Sequence, residues 1–494
     1  MRSLSKSKML AYRQCPKRLW LEIHRPELKD DSGAETAYRI GNEVGAVARL
    51  IYNEKGNGVF LDLDELGYDE VFAQSEVLLR EGRGPIFEAG LRMPGALAFA
   101  DVMVPDDSGG QVRWRMIEVK SASGVKDYYR DDIAIQAYVA GGAGIPLSSV
   151  AIAHVDSSFV YEGEGDYRGL LREVDFTEET GRRRAEVASW LNGAQEVAAG
   201  ESEPEIPMGE HCAMPFVCPF TGHCRGVEEA VEVEYPLSSL PNFTGRRRAA
   251  VEALGIRDLR DVPDEFLTAM QLRVRDVTRS GRAWLDVDGA NADLGKFTFP
   301  ARFLDFESVM FAVPIWKGRK PYEQIPFQFS LHKFEEDGTL THKPFLDLSG
   351  KDPAARLAKA LLAEVGSSGT IFVYNATFEK AVIHSLAARF PEHRSALLAL
   401  VERLIDLLPI ARARFYDPAQ HGRWGLKAIL PAISPELSYE QLNGVADGAM
   451  AVEAYKEAIH PATTPERKAA LEDELLAYCH HDTLGLVRLW KRFR

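Results

Sequence analysis

Two acidic residues and a lysine in the first half of the chain have types and spacing that suit metal-dependent chemistry. Asp101 follows the apolar run 96–100, and Glu118 and Lys120 alternate with apolar residues in the next run. Because side chains two positions apart on a strand point to the same face, we predict that Glu118 and Lys120 lie side by side. Carboxylates placed in this way can hold a divalent ion that activates water, while the lysine stabilises negative charge developing on a phosphate. Gln136, on the helix predicted to follow, completes the set.

The motif Glu-x-Lys alone is weak evidence for such a site. An edge strand that alternates apolar and charged residues has the same pattern, and Asp101 would then only end a strand. The complete order of Asp101, Glu118, Lys120 and Gln136 favours a catalytic site over this alternative.

A second set of acids lies in the last part of the chain. Asp305 and Glu307 stand two apart on a predicted strand, so both carboxylates face the same way. Glu379 lies in the first turn of a predicted helix, and Tyr478 and Asp482 lie one turn apart on the C-terminal helix. Four carboxylates can hold two metal ions about 4 Å apart for attack on a phosphodiester, with Tyr478 positioning the water.

Other residues near these acids have simpler interpretations. Taken singly, Glu379 or Asp482 would be an exposed helix acid, and only the ordered set indicates a site. We expect His332 and His384 to be structural. Cys479 lies on an apolar helix, which favours a packing role.

The remaining four cysteines form a pattern of one plus three. Cys212, Cys218 and Cys224 fall within 13 residues, and Cys15 lies near the N-terminus. Four thiolates from two ends of one domain suit a four-iron, four-sulfur cluster or a structural zinc ion. Zinc motifs favour cysteines paired two to four residues apart, and that pairing is absent from this sequence.

Two alternatives stay open for the cysteines. They are either small buried hydrophobic residues, or they share a metal with the flanking histidines His211 and His223. An odd and sparse number of cysteines does not suggest a disulfide scaffold.

The apolar pattern predicts the elements that must position these groups. Strands are predicted at 86–91, 96–104, 113–119, 150–155, 301–306, 327–333 and 370–374. Helices are predicted at 3–53, 68–81, 126–140, 178–191, 353–365, 377–388, 446–459 and 465–492. Both halves are therefore expected to be α/β, and short helices at 246–256 and 263–277 suggest a connecting module between them.

Length and charge set the outer limits. A chain of 494 residues is too long for one core, so we predict a first domain at 1–230, a helical connector at 231–295 and a second domain at 296–494. No apolar run approaches the length of a membrane span, and no signal-peptide pattern is present, so we expect a cytoplasmic protein without a membrane partner. The net charge of −14 requires any nucleic acid to bind through local basic clusters, such as Lys317, Arg319 and Lys320.

Residues 1–225 resemble the RecB-like branch of the PD-(D/E)xK nucleases, which includes CRISPR-associated RecB-like exonucleases. The resemblance rests on the Cys15-Pro-Lys-Arg helix, the acidic and lysine motifs described above and the trailing cysteines. It implies a restriction-endonuclease-type fold in which Asp101 and Glu118 bind metal, Lys120 is catalytic and Gln136 supports the site. It also implies that the four cysteines hold an iron–sulfur cluster.

One ligand of that family is missing from the sequence. The family usually has a histidine a few residues after the position of Gly41, where this chain has Gly45. Glu43 and Glu88 are candidates to replace it.

Residues 297–494 resemble the DnaQ-like DEDD exonucleases of the RNase H-like fold. The resemblance implies that Asp305, Glu307, Glu379 and Asp482 bind Mg²⁺ or Mn²⁺, with Glu379 standing where aspartate is more common. The spacing Tyr-x₃-Asp identifies the tyrosine variant of this family and favours Tyr478 over the following histidines.

Two further positions match secondary positions of the exonuclease family, namely Asp406 and Lys427. Asp406 is equally suited to cap a helix.

The whole arrangement is similar to a bacterial family of uncharacterised proteins that joins the two nuclease types. We therefore expect a metal-dependent nuclease, in particular an exonuclease acting on single-stranded DNA in DNA processing, repair or defence. DNA is the favoured partner over RNA. The alternative is a scaffold that binds nucleic acid or a protein partner through one or two inactive sites, and a third possibility is a redox sensor built on the cysteines.

Overall fold

A computed structural model describes residues 2–30, 35–106, 112–228 and 233–494. The chain forms two compact units. Unit 1 consists of Met1–Val231 and Phe311–Glu323, and unit 2 consists of Glu232–Met310 and Gln324–Arg494. Both units combine helices with sheets, so the chain is mixed α/β. The segment predicted as a connector falls almost entirely within unit 2.

Unit 1 combines one mixed sheet with several helices, of which α3, α6 and α8 are the longest. Its strands are β1 (Leu4–Ser5), β2 (Val59–Phe60), β3 (Ile86–Met93), β4 (Ala96–Asp106), β5 (Arg113–Lys120), β6 (Leu147–Val155) and β7 (Leu171–Asp175). Its helices are α1 (Lys6–Gln14), α2 (Pro16–His24), α3 (Glu35–Tyr52), α4 (Leu63–Leu66), α5 (Tyr68–Glu81), α6 (Asp127–Gly142), α7 (Thr177–Arg182), α8 (Arg184–Ala199) and α9 (Thr221–Glu228).

The sheet of unit 1 runs in the order β2-β3-β4-β5-β6-β7, with β1 paired to β4. Strands β3, β4 and β5 are antiparallel neighbours, whereas β5 and β6 are parallel. Alternate residues of β5, beginning with Trp114 and Met116, join the core that also contains Ile133 and Val139 of α6. Because Glu118 and Lys120 continue the same alternation, their side chains lie on the α6 face of the sheet.

The segment Phe311–Glu323 of unit 1 comes from the connection between two strands of unit 2. Ala312 and Val313 pack with Val155 and other apolar residues of unit 1. The backbone at Tyr161 exchanges two hydrogen bonds with this segment, at 3.0 and 2.7 Å. Arg319, which the sequence placed in a basic cluster, is buried and forms an ion pair with Glu323, so it adds no exposed charge there.

Unit 2 has a central sheet, a small two-stranded sheet and many helices. Its strands are β8 (Trp284–Leu285), β9 (Ala301–Val309), β10 (Ile325–Phe334), β11 (Leu340–Leu346), β12 (Ile371–Val373), β13 (Leu404–Asp406) and β14 (Phe415–Tyr416). Its helices are α10 (Gly245–Ala253), α11 (Ala269–Ser280), α12 (Val287–Leu294), α13 (Ala354–Val365), α14 (Thr377–Arg389), α15 (Arg394–Val401), α16 (Leu407–Arg414), α17 (Leu426–Ile433), α18 (Gly448–Ile459) and α19 (Pro465–Arg492).

The central sheet of unit 2 has the order β11-β10-β9-β12-β13. Strands β9, β10 and β11 are antiparallel, and β12 is parallel to β9 and β13. Leu304 and Phe306 face the core under α13 and α14, whereas Phe303 faces the core that contains Trp490 of α19. Asp305 and Glu307 alternate onto the α19 side, which places both carboxylates beside the C-terminal helix.

Within the described part of the chain, we find no helix that has both the length and the apolar character needed to cross a membrane.

Candidate active sites

The first candidate site lies on the α6 face of the unit 1 sheet. Asp101 is on β4, Glu118 and Lys120 are on β5, and Gln136 is on α6. The Glu118 carboxylate accepts hydrogen bonds from Lys120 Nζ at 2.6 Å and from the amide of Gln136. The structure therefore brings Glu118, Lys120 and Gln136 into direct contact.

Two residues that the sequence did not indicate complete this network, namely Lys6 of α1 and Asp132 of α6. Lys6 Nζ lies 2.9 Å from Glu118 Oε1 and 3.0 Å from Asp132 Oδ1. Asp132 also accepts from Lys120, and it stands one helical turn before Gln136. That spacing of four residues is the one sequence signal that could have pointed to Asp132.

Charge pairing governs protonation in this network. Burial opposes the charged forms of Lys6 and Lys120, but Asp132 and Glu118 outweigh it and raise the pKa of both amines. Burial would raise the pKa of Asp132, but the two lysines lower it instead. Both lysines are therefore protonated at neutral pH, and Lys120 can donate hydrogen bonds but cannot act as a base.

Glu88 is the replacement candidate that lies beside the other acids. It faces Asp101 across β3 and β4, between the pairs Phe87–Val102 and Ala89–Ala100. Its φ of 59° is unusual for a non-glycine residue in a strand and marks local backbone strain. Burial and the nearby Glu118 raise the pKa of Glu88 to about 7.

Asp101 lies close to the same negatively charged side chains. Its pKa is well above the ordinary value because of burial and the proximity of Glu118 and Glu88. Its Oδ2 accepts a hydrogen bond of 2.6 Å from the backbone N–H of Val119. Glu43, the other replacement candidate, is paired with Arg39 on its own helix. Of these two residues, Glu88 is the one whose charge acts on Asp101. The acids of this site offer only oxygen ligands, which suit Mg²⁺ or Mn²⁺.

The second candidate site is a group of three carboxylates in unit 2. One oxygen from each of Asp305, Glu307 and Asp482 lies within 4.8 Å of the other two. Burial, followed by the negative charge of Asp482, raises the pKa of both Asp305 and Glu307 well above ordinary values. Burial raises the pKa of Asp482 to about 6. Three carboxylates that repel one another and offer only oxygen ligands fit a bound divalent cation.

Glu379 lies near this group but outside the set of three. It is in the first turn of α14 and is fully buried, and its Oε2 has no hydrogen-bond partner. Burial raises its pKa to about 8, and its charge contributes to the raised pKa of Asp305. A buried carboxylate oxygen without a partner is costly unless a proton or cation satisfies it.

The sequence left two roles open for Asp406, a site residue or a helix cap, and the structure shows a helix cap. Its carboxylate accepts from the backbone N–H of Leu408 at 2.9 Å and so caps α16. It also accepts from the N–H groups of Asn375 and Ala376, at 2.9 and 3.0 Å. Asp406 therefore fixes the turn that leads into α14 and Glu379.

Two tyrosines hold the Asp482 carboxylate. Tyr478, which the sequence predicted, forms a hydrogen bond with it, and so does the hydroxyl of Tyr439, which the sequence did not indicate. Burial and the charge of Asp482 raise the pKa of both phenols, so both stay protonated as donors. The positive charge of Lys427 lowers the pKa of Glu307 and of Asp482, and so offsets part of the effect of burial.

Cys479 is completely buried, in line with a packing role, and its thiol also contacts the acids. Its Sγ lies 3.7 Å from Asp305 Oδ2. Burial and the charge of Asp305 raise the pKa of this thiol, so it stays protonated.

The other four cysteines line one small cavity in unit 1, together with His211. Burial raises the pKa of Cys218 and Cys224, and nearby sulfurs contribute to both shifts. No three of the four sulfurs, all within the described residues, lie within 4.8 Å of one another. A tetrahedral zinc ion with Zn–S bonds near 2.3 Å would need sulfurs about 3.8 Å apart.

The loop that carries the later cysteines is tied to the N-terminal helices. The side-chain amide of Gln14, next to Cys15, donates to the carbonyls of His211, Met214 and Phe216 at 2.7 to 3.2 Å. His223 lies 3.1 Å from Glu203, so its ring already has a partner.

Comparison with known proteins gives one match. Residues 302–425 match a family described as a domain of unknown function (DUF2779). The matched region includes Asp305, Glu307 and Glu379 but ends before Asp482. No curated protein and no solved structure matches the chain.

Proposed function

We propose that the chain is a metal-dependent nuclease that hydrolyses phosphodiester bonds of nucleic acid. The observation that carries this proposal is the convergence of Asp305, Glu307 and Asp482 within 4.8 Å in unit 2, with Glu379 close by. All four side chains are presented by β9, α14 and α19, which are regular elements with buried cores. Functional groups held by such elements keep a defined geometry.

In this proposal, Asp305, Glu307 and Asp482 hold Mg²⁺ or Mn²⁺, and Glu379 completes the set. The metal would lower the pKa of a bound water and neutralise charge on the phosphate. The hydroxyls of Tyr439 and Tyr478 hold the Asp482 carboxylate in place. Since both phenols are protonated, Tyr478 can also donate a hydrogen bond to a water or a phosphate oxygen.

The first site supports a second hydrolytic centre of the RecB-like type. Asp101, Glu118 and Glu88 supply the oxygen ligands, and Gln136 orients Glu118 through its amide. Lys120 is protonated and therefore suited to stabilise negative charge on the phosphate. The mixed sheets of both units are compatible with a restriction-endonuclease-type fold in unit 1 and an RNase H-like fold in unit 2.

A cavity in unit 2 suggests where nucleic acid binds. It has a volume of about 980 Å³ and is lined by Arg412, Arg423 and Lys427. Lys427 also lies close enough to Glu307 and Asp482 to affect their pKa values. The cavity therefore offers three positive side chains to a phosphate backbone, despite the negative net charge of the chain, and one of them also acts on the acids. A DNA single strand remains our preferred substrate.

We further propose that Cys15, Cys212, Cys218 and Cys224 bind a four-iron, four-sulfur cluster. Separations wider than a single zinc ion allows support the larger cluster. Such a cluster would join α2 to the end of unit 1 and stabilise the fold when bound.

Replacing Cys212 with serine should therefore remove iron and acid-labile sulfide from anaerobically purified protein. We also expect it to lower the unfolding temperature of unit 1 by about 10 °C, because cluster binding contributes to folding. Cys479→Ser serves as the matched control and should retain its iron. Equal iron content in both variants, or its absence from wild type together with bound zinc, would rule out the iron–sulfur assignment.

One observation favours a second candidate function, a nucleic-acid-binding scaffold in which the first site is silent. Lys6 Nζ lies 2.9 Å from Glu118 Oε1, and the charges of Lys6 and Lys120 already neutralise those of Glu118 and Asp132. A metal bound through Glu118 Oε1 would compete with both lysines for that oxygen. If the first site is silent, unit 1 would bind nucleic acid without cleaving it, and cleavage would belong to unit 2 alone.

Removal of divalent metal tests the proposed activity directly. End-labelled single-stranded DNA should be degraded in Mn²⁺ or Mg²⁺, and cleavage should stop with excess chelator and return when Mn²⁺ is added back. RNA and duplex DNA in parallel reactions identify the substrate class. Cleavage that persists in chelator, or no cleavage of any substrate, would contradict the nuclease proposal.

A further inference from the structure

Three histidines of unit 2 converge from three separate elements. His332 lies on β10, His342 on β11 and His480 on α19. His332 and His342 are direct partners in the antiparallel register, and their ring centroids are 4.5 Å apart. The ring of His480 lies 4.8 Å from that of His332 and 4.5 Å from that of His342. One ring nitrogen of each residue lies within 4.8 Å of the other two.

Two of these rings have one nitrogen engaged by a hydroxyl group. His332 Nδ1 is 2.8 Å from the hydroxyl of Thr483, and His342 Nε2 is 2.9 Å from the hydroxyl of Ser330. The two hydroxyls are themselves hydrogen-bonded at 2.6 Å. Each of these two rings is therefore held in one orientation and has a second nitrogen that is not bonded to a hydroxyl group. An outer partner on the far nitrogen is the usual support for a metal-binding histidine.

The rings are also in the protonation state that metal binding needs. Burial, followed by the neighbouring histidines, lowers the pKa of His332 to about 3. The same causes lower the pKa of His342 to about 4. Both imidazoles are neutral at physiological pH, and the neutral ring is the form that coordinates metal.

The chemistry of this group differs from that of the carboxylates. Imidazole nitrogen favours Zn²⁺ and related transition metals, whereas carboxylate oxygen favours Mg²⁺ and Mn²⁺. Three imidazole nitrogens within 4.8 Å of one another match the number of protein ligands of a zinc ion with an open fourth position. The two groups are thus suited to different ions, although His480 is only two residues before Asp482.

We propose that His332, His342 and His480 bind one divalent transition-metal ion, such as Zn²⁺, through three imidazole nitrogens. This site is separate from the proposed nuclease centre and does not depend on it. The ion joins α19 to β10 and β11 and so fixes the helix that carries Tyr478 and Asp482.

The test compares full-length wild type with His342→Gln and with a matched control, His384→Gln, whose histidine is exposed on α14. Each protein is stripped of metal and titrated with Zn²⁺ in excess Mg²⁺, which competes for the carboxylates that all three proteins share. Wild type and His384→Gln should each bind one equivalent of Zn²⁺ more than His342→Gln, because any zinc at the cysteines is common to all three. Equal zinc stoichiometry in wild type and a folded His342→Gln would overturn the proposal.

X-ray absorption of the wild-type zinc complex keeps the proposal testable if His342→Gln does not fold. The spectrum should contain the scattering of imidazole rings from the additional zinc ion. A spectrum with only sulfur ligands, or with no imidazole contribution, would identify the histidines as a neutral packed cluster without a metal. Neither the zinc stoichiometry nor the spectrum depends on nuclease activity, so this test stays valid if the nuclease proposal fails.

Discussion

Asp305→Asn should reduce the rate of cleavage by the unit 2 site about 10³-fold, because the substitution removes a metal ligand worth several kcal/mol of transition-state stabilisation. The loss should not result from unfolding. Desolvation and the neighbouring acids raise the pKa of Asp305. A group with a raised pKa destabilises the folded state at any pH above its unfolded pKa, since the charged form is then disfavoured by folding.

The neutral amide removes that repulsion at neutral pH. Metal-free Asp305→Asn should therefore unfold at the same temperature as wild type or higher, while the rise in unfolding temperature caused by Mg²⁺ or Mn²⁺ becomes smaller. The matched control is Asp473→Asn, which changes an exposed acid on α19. If Asp305→Asn retains wild-type rates, the carboxylates of unit 2 do not form the hydrolytic centre.

Lys120→Met should reduce cleavage by the unit 1 site by about 10² to 10³-fold, because Lys120 is the protonated group available to stabilise charge on the phosphate. The raised pKa keeps this lysine charged through neutral pH, so the unit 1 activity of the wild type should show no pH dependence from Lys120 in that range. The measurement is the product pattern on end-labelled DNA, with Asp305→Asn combined to isolate the unit 1 products.

A folding check accompanies this variant. Removal of one partner from a buried ion pair costs about 3 to 5 kcal/mol, although Lys6 still neutralises Glu118 and Asp132 here. Lys126→Ala changes an exposed lysine at the start of α6 and serves as the control. If the product patterns of Lys120→Met and wild type are the same, unit 1 is a binding module, and the scaffold interpretation of this unit is preferred.

Long elements with clear end signals could be predicted from the sequence. The C-terminal helix was predicted at 465–492, which matches α19, because Thr464 caps its first turn and Pro465 suits its first position. The continuous helical pattern predicted at 3–53 is broken into α1, α2 and α3 instead. Pro16 begins α2, and Pro26 follows the end of that helix. These prolines are the signals that should have divided the prediction.

Elements that are short or solvent-exposed were not predicted. Strand β11 is mostly exposed, so its residues lack the apolar alternation that identifies a strand, and β13 has only three residues. Their positions depend on pairing with β10 and β12, which are distant in sequence. Such pairing is a tertiary effect that local patterns do not contain.

In the candidate sites too, residues that lie close together in the sequence could be predicted, whereas residues contributed by distant elements could not. Acids and lysine at fixed short spacing, such as Glu118 with Lys120, were predictable from strand periodicity. Lys6 and Tyr439 reach the acids from other elements, and no spacing in the sequence connects them to Glu118 or Asp482. Glu88 was considered only because a family ligand is missing, and its positive φ is visible only in the folded chain.

The segment Phe311–Glu323 has a consequence for how the protein can be divided. Since unit 1 includes this segment, the chain passes between the units three times, and no single cut yields two complete parts. A fragment ending near residue 295 lacks Ala312 and Val313 from its core and Tyr322, whose hydroxyl donates to the carbonyl of Ser121 beside Lys120. A truncated half of the chain would therefore lack part of its own core, so activity attributed to one unit is best measured by point substitution in the intact chain.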